Sequence, residues 1–222
     1  MADIASNIKH LKQQIPPSVK LVAVSKTKTE SDILEAYNSG HKIFGENRVR
    51  ELVQKKENLP SDIEWHMIGH LQGNKVKQIV PFISMIHSAD SFRLLKTINH
   101  EGSLINRVVD TLLQIHIAEE ETKFGFSIDE IHEMISSEDF SKLNFVRICG
   151  VMGMATFTDD SDRIRNEFRY LAQCFSNLKR DYFADKPEFR EISMGMSGDF
   201  QIAIGEGSTI VRIGSLIFGE RN

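Results

Sequence analysis

Cysteine is scarce in this chain: Cys149 and Cys174 are the only two among 222 residues. One such pair is no disulfide framework, and no zinc-type cysteine spacing exists. Cys149 stands inside the apolar run 146–151 and reads as a small buried hydrophobe. A basic surplus is also missing. The formal net charge is −4, so no nucleic-acid partner is expected. No window approaches the ~20 consecutive apolar residues that span a bilayer. The first fifteen residues carry Asp3, Lys9 and Lys12 among their apolar positions, unlike the apolar stretch of a signal peptide. The cytoplasm is therefore the expected compartment, with no membrane partner. Linkers and low-complexity tracts are absent too, which predicts one domain over 1–222.

What the chain has is a repeated alternation of short apolar runs with longer amphipathic segments. Ile4, Ile8, Leu11 and Ile15 recur at helical spacing and predict an opening helix that Pro16 and Pro17 end. Strands are predicted at 19–24, 42–44, 63–68, 83–87, 108–117, 145–152, 191–193 and 209–213. Helices are predicted at 31–39, 48–57, 74–80, 91–99, 128–136 and 160–182, with a short one at 198–204. Strands apolar throughout need both faces covered, which favours a parallel sheet. Eight such cycles in this length predict an α/β fold, a (β/α)₈ TIM barrel preceded by an N-terminal helix. An open doubly wound sheet is the alternative.

The polar residues that stand out fall at predicted strand ends, the active face of such a barrel. Lys26 follows the run 21–25. Inside an apolar barrel its amine would lose its proton readily and could attack an aldehyde, whereas a lysine already clear of the strand would simply face solvent. The glycine-rich segment 205–215 lets backbone approach a ligand. Its N–H groups, with hydroxyls from Ser197 and Thr209, suit a phosphate, although such a segment can equally be a turn. Arg212 lies within an apolar run, where a guanidinium needs a partner: an acid, or a ring nitrogen whose protonation it would oppose. His66 and His70 are four apart but straddle a strand end, so no metal site is expected. His66 reads as a polar pocket wall or a satisfied core histidine.

Together these segments resemble the pyridoxal phosphate homeostasis proteins, the YggS/PROSC family, which look like the N-terminal barrel of alanine racemase without its β domain. The matching stretches are Leu-Val-Ala-Val-Ser-Lys26-Thr, Phe-Gly45-Glu-Asn47, Trp-His66-Met-Ile-Gly69-His-Leu-Gln-Gly-Asn-Lys75, His-Ser88-Ala-Asp, Lys123-Phe-Gly125-Phe, Gly-Val-Met152-Gly-Met-Ala, Ser-Met-Gly-Met-Ser197-Gly-Asp-Phe and Gly-Ser-Thr209-Ile-Val-Arg212-Ile-Gly214-Ser215. They span nearly the whole chain. The resemblance implies a fold-type III barrel holding pyridoxal 5′-phosphate (PLP) as a Schiff base on Lys26. Ser197, Thr209, Gly214 and Ser215 then form a phosphate cradle, and Arg212 faces the pyridine nitrogen. Asn47 lies near the ring, Met194 and Gly195 shape the pocket, and Lys123 sits near the phenolic edge.

One departure bears on activity. Alanine racemase opposes its lysine with a tyrosine from the β domain, which this chain lacks, and position 30 is Glu30 rather than tyrosine. Tyr37, Tyr170 and Tyr182 fall in predicted helices. The resemblance thus implies a monomeric PLP carrier without strong turnover, with PLP-dependent apo-enzymes as candidate recipients. A single-barrel amino-acid racemase is the alternative, and a phosphosugar-type barrel without PLP a third reading.

Overall fold

Strands that are apolar on both faces must be covered from inside and outside, and a closed barrel ringed by helices does both. The computed structural model describes residues 3–118 and 124–220. Eight parallel strands close in chain order: β1 (Lys20–Val24), β2 (Ile43–Glu46), β3 (Glu64–Met67), β4 (Met85–Ala89), β5 (Val109–Gln114), β6 (Val146–Met152), β7 (Glu191–Ser193) and β8 (Ile210–Ile213), with β8 pairing back onto β1. Around them lie α2 (Glu30–Asn38), α3 (Val49–Asn58), α4 (Val76–Ile79), α5 (Phe92–Leu104), α6 (Ile128–Ser136), α7 (Ser161–Asp181), α8 (Phe200–Gly205) and α9 (Ser215–Phe218). The opening helix α1 (Ile4–Gln14) buries Ile4, Ile8 and Leu11 and packs on α2 and α9. Asn7 Nδ2 donates to the Ile217 carbonyl at 3.0 Å, joining the two ends of the chain.

Alternation along each strand sorts side chains into two layers. Outward residues such as Ala23, Phe44, Trp65, Leu113 and Val151 meet Ile33, Leu52, Phe168 and Leu171 of the helices. Inward residues Val22, Met85, Leu112, Cys149, Met152 and Ile210 fill the barrel. The same parity carries on past β1. Val24 and Lys26 face a cavity at the barrel mouth, while Ser25 turns outward to bond Glu46.

The expected helix–strand order and the N-terminal helix are present. Helix α5 runs past the expected end at 99, to Leu104. Its Gly102 lies so close to Arg107 that a Cβ would come within 2.6 Å of that carbonyl, so packing keeps a poor helix former in the helix. Strand β5 stops at Gln114, and Ile115 bridges to Phe126 instead. The expected helix 74–80 divides into a 3₁₀ turn, Gly73–Lys75, and α4.

Candidate functional site

The C-terminal ends of β1, β2, β6, β7 and β8 surround a cavity of about 510 Å³, a usual size for a small-molecule site. Lys26, Asn47, Ser197, Arg212, Gly214 and Ser215 all line it. Lys26 is half-buried in the turn after β1. Asn47 follows β2, and the chain behind it requires glycine: a Cβ at Gly69 would lie 2.5 Å from the Asn47 carbonyl oxygen. Gly69 O in turn accepts the Ser88 hydroxyl at 2.6 Å. Ser197 Oγ accepts the Gly214 N–H at 3.3 Å, which ties the loop after β7 to the start of α9. The first N–H groups of a helix have no partner within it, so the start of α9 offers donors beside that hydroxyl.

Arg212 is buried, yet its guanidinium reaches the cavity. It donates to Ser193 Oγ at 2.6 Å and to the Gly153 carbonyl at 3.1 Å. Ser193 Oγ also bonds His87 Nδ1 at 2.9 Å, and His87 Nε2 meets His66 Nδ1 at 2.8 Å. This polar chain crosses the barrel above the apolar layer. Burial pushes His66 down to about 3 and His87 well below the usual histidine range, so both are neutral at pH 7. Burial draws Arg212 down to about 10 against the attraction of Asp199, which leaves it a cation at neutral pH. Burial raises the Asp199 carboxyl, which accepts the Met196 N–H at 2.5 Å.

Four residues expected at the site stand elsewhere. Thr209 precedes β8 and so lies at the opposite end of the barrel from Gly214. Its hydroxyl donates to Glu191 Oε2 at 2.8 Å and accepts the Ile192 N–H at 2.8 Å. Ile210 and Val211 lie between it and Arg212, the first residue of β8 that lines the cavity, about 10 Å away at the usual rise. Met194 follows inward-facing Ser193, so parity turns it outward into the core between barrel and helices. Gly195, at φ +95°, makes room for α8 rather than for a ligand: a Cβ would come within 2.6 Å of Ala203 Cβ. His66 is the satisfied core histidine and is not among the cavity-lining residues. Lys123 and the acidic run 119–121 lie outside the described residues.

The structure adds residues that strand-end reasoning missed. Asp199 and Met196 line the cavity within the motif quoted around Ser197. Met154 and the loop from Ala155 to Asp159 form its far wall, with Phe157 98% exposed at the rim. The hydrogen-bonded pair His87 and Ser193 lay in the matched stretches, but nothing in them marked the contact between the two. None of the three tyrosines lines the cavity: Tyr37 donates to Asp62, Tyr182 pairs with His132, and Tyr170 lines a separate surface hollow. Among the described residues, no group of three His, Cys, Asp or Glu is arranged to hold a metal ion. No described helix is long and apolar enough to cross a membrane.

A family model described as "Alanine racemase, N-terminal domain" matches residues 1–222. The chain is 41% identical over 203 residues to the pyridoxal phosphate homeostasis protein of Aquifex aeolicus, covering 91% of this chain and 87% of that one. It is 37% identical to the protein of the same name from Vibrio alginolyticus, across 100% of this chain and 99% of that one. Among solved structures, PipY of Synechococcus elongatus superimposes with a TM-score of 0.90 at 33% identity, covering 97% of this chain and 100% of PipY. The PLP-bound form of PipY gives 0.87. Alanine racemase of Bartonella henselae shares the fold at 17% identity, with a TM-score of 0.73 over 99% of this chain and 60% of the racemase. By sequence along its whole length and by fold, the chain belongs to the pyridoxal phosphate homeostasis protein family, whose barrel is the N-terminal domain of alanine racemase.

Proposed function

We propose that this chain binds PLP in the cavity between β1 and β8, linked covalently through Nζ of Lys26, and serves the intracellular homeostasis of that cofactor without strong turnover. The observation that carries this reading is the convergence of Lys26, Ser197, Gly214, Ser215 and Arg212 on one cavity of about 510 Å³. The donor set fits the ligand. A primary amine suits the aldehyde, hydroxyl and N–H donors suit the phosphate, and a cation opposite the ring suits an unprotonated pyridine nitrogen. Bound PLP supplies an aldehyde and an electron-withdrawing ring. Lys26 holds the aldehyde carbon, Ser197 and the start of α9 hold the phosphate, and Asn47 flanks the ring. Arg212, fixed by Ser193 and Gly153, keeps positive charge against the ring nitrogen and so discourages its protonation.

The homeostasis relatives and the PLP-bound PipY support this reading over a racemase. Racemisation needs a proton-transfer group on each face of the ligand, and each contributes roughly 10²–10⁴-fold. No tyrosine among the described residues lines the cavity to oppose Lys26. We further read the chain as one cytoplasmic domain, 1–222, acting as a monomer with PLP-dependent apo-enzymes as recipients. The test is the absorbance spectrum of the purified protein before and after borohydride reduction, with mass spectrometry to locate the adduct. A phosphopyridoxyl group on Lys26 is expected, and one mapped chiefly to Lys75 or Lys123 would overturn the assignment.

A further inference from the structure

Lys26 occupies an unusual piece of backbone. Ser25 to Lys28 form a tight turn, with the Lys28 N–H donating to the Ser25 carbonyl at 3.0 Å. Its third residue, Thr27, has φ +66°. Turns of this shape ask for glycine or asparagine at that position, because a β-branched side chain is strained at positive φ. Among the described residues only one other non-glycine, Asn106, has positive φ, and asparagine tolerates it. The strain therefore sits one residue from the proposed cofactor lysine. Strained backbone persists where its surroundings over-determine it.

The surroundings here form a buried ionic clamp behind the turn. Glu51, on the first turn of α3, accepts the Thr27 N–H at 2.6 Å. Lys55, one helical turn later, donates to Glu51 Oε1 at 2.6 Å, to Glu46 Oε1 at 2.7 Å and to the Ser25 carbonyl at 2.8 Å. The Ser25 hydroxyl completes the set by donating to Glu46 Oε1 at 2.6 Å. Lys55 and Glu46 are buried, and Glu46 Oε2 has no hydrogen-bond partner among the described residues. Burying a carboxylate with one bare oxygen is a cost that an apolar pair would avoid. The clamp grips the turn on both sides of Lys26, at Ser25 and at Thr27. On the far side, Lys28 Nζ donates to the Phe218 and Gly219 carbonyls at 3.1 and 3.3 Å, which fixes the turn to the end of α9.

We propose that Glu51 and Lys55 are positioning residues for Lys26: they hold the strained Ser25–Lys28 turn that aims its amine into the cavity. This rests on the proposed role of Lys26. A clamp of this kind acts on the ligand through Thr27, so relieving the strain at Thr27 makes the clamp dispensable for binding. A clamp that only stabilises the barrel has no such coupling.

The test is a double-mutant cycle with PLP as the titrant, read by fluorescence and by hydrogen exchange of the 25–28 amides. Glu51→Ala keeps the Lys55–Glu46 pair and removes the acceptor of the Thr27 N–H. It should weaken PLP about tenfold and speed exchange at Thr27. Thr27→Gly alone should bind within about threefold of the original chain, and Thr27→Gly with Glu51→Ala should regain most of the lost affinity. Lys55→Met with Glu46→Gln tests the buried pair by the same two readouts and should behave like Glu51→Ala. Unchanged affinity in Glu51→Ala, or a double variant as weak as Glu51→Ala alone, overturns the proposal. Adduct mapping on the original chain separates the two readings. An adduct away from Lys26 defeats the proposed function itself, whereas an adduct on Lys26 with no coupling defeats only the clamp.

Discussion

Four strand residues lie between Thr209 and Gly214, and the two ends of β8 that they mark are chemically opposite. At its start, Thr209 is locked between the Glu191 carboxylate and the Ile192 N–H, and Lys20 closes the group by pairing with Glu191 at 2.7 Å. Each polar atom there answers another from the protein. At its end, Gly214, Ser215 and Arg212 border an open cavity. Strand direction alone separates the two settings: a parallel barrel gathers chemistry at its C-terminal rim and leaves the other rim to stability. Two hydroxyls in one glycine-rich segment, Thr209 and Ser215, therefore stand in different surroundings.

The sharpest break between the rims is Lys26→Ala. It should abolish the borohydride-reducible adduct and its absorbance, while the urea midpoint of the PLP-free protein moves by less than about 0.5 kcal/mol equivalent, as for most changes away from the core. Ser197→Ala should weaken PLP by about 1.5–3 kcal/mol, the worth of a hydrogen bond to a charged group, and cost the PLP-free protein less than about 1 kcal/mol for the long bond from the Gly214 N–H. At the other rim the pattern should invert. Glu191→Ala should cost about 1–3 kcal/mol of stability by orphaning Thr209 and Lys20, with PLP affinity within twofold of the original. Equal losses of affinity from both rims would erase the distinction.

Between the rims the buried histidines give a pH signature. His66 is held at about 3 against an ordinary value of 6.5, so the unfolded chain binds the extra proton first. Its contribution to stability is complete above about pH 6.5 and declines as pH falls towards 3. Between pH 7 and 5 the loss should be about 2 kcal/mol, smaller in His66→Gln, as read from urea midpoints at each pH. The mildest expected effect is that of Thr209→Val, about 1 kcal/mol of stability with no change in PLP affinity.

How far the sequence could be read depended on periodicity and direction. The barrel was legible because β1 and β6 are apolar apart from the exposed Lys20 and Arg147, and α7 repeats Ile164, Phe168, Leu171 and Leu178 on one face. Their place at the cavity was legible for Lys26 and Asn47 because each follows a strand, for Ser197 because its motif follows β7, and for Arg212 because it interrupts an apolar run on the inward side of β8. Thr209 misled because a motif gives neighbourhood without saying which side of a strand a residue stands on. Met194 misled because parity flips with each residue past Ser193. The Glu46–Lys55–Glu51 clamp was invisible, since its members come from a strand and a helix and meet only after the barrel closes.

The pairing of β1 with β8 and the bond from Asn7 to the Ile217 carbonyl make one seam, and that seam joins the two ends of the polypeptide. Every other strand pair links neighbours in sequence, whereas this one closes the longest loop of the sheet. Lys26 stands on one lip of the seam and Ser215 on the other, 189 positions later. A ligand held by both residues is therefore a rivet across the zipper of the barrel. Its loss removes one tie between the first and last strands and leaves only their backbone pairing, so occupancy should govern how quickly the protein opens from its termini as well as how much cofactor it carries.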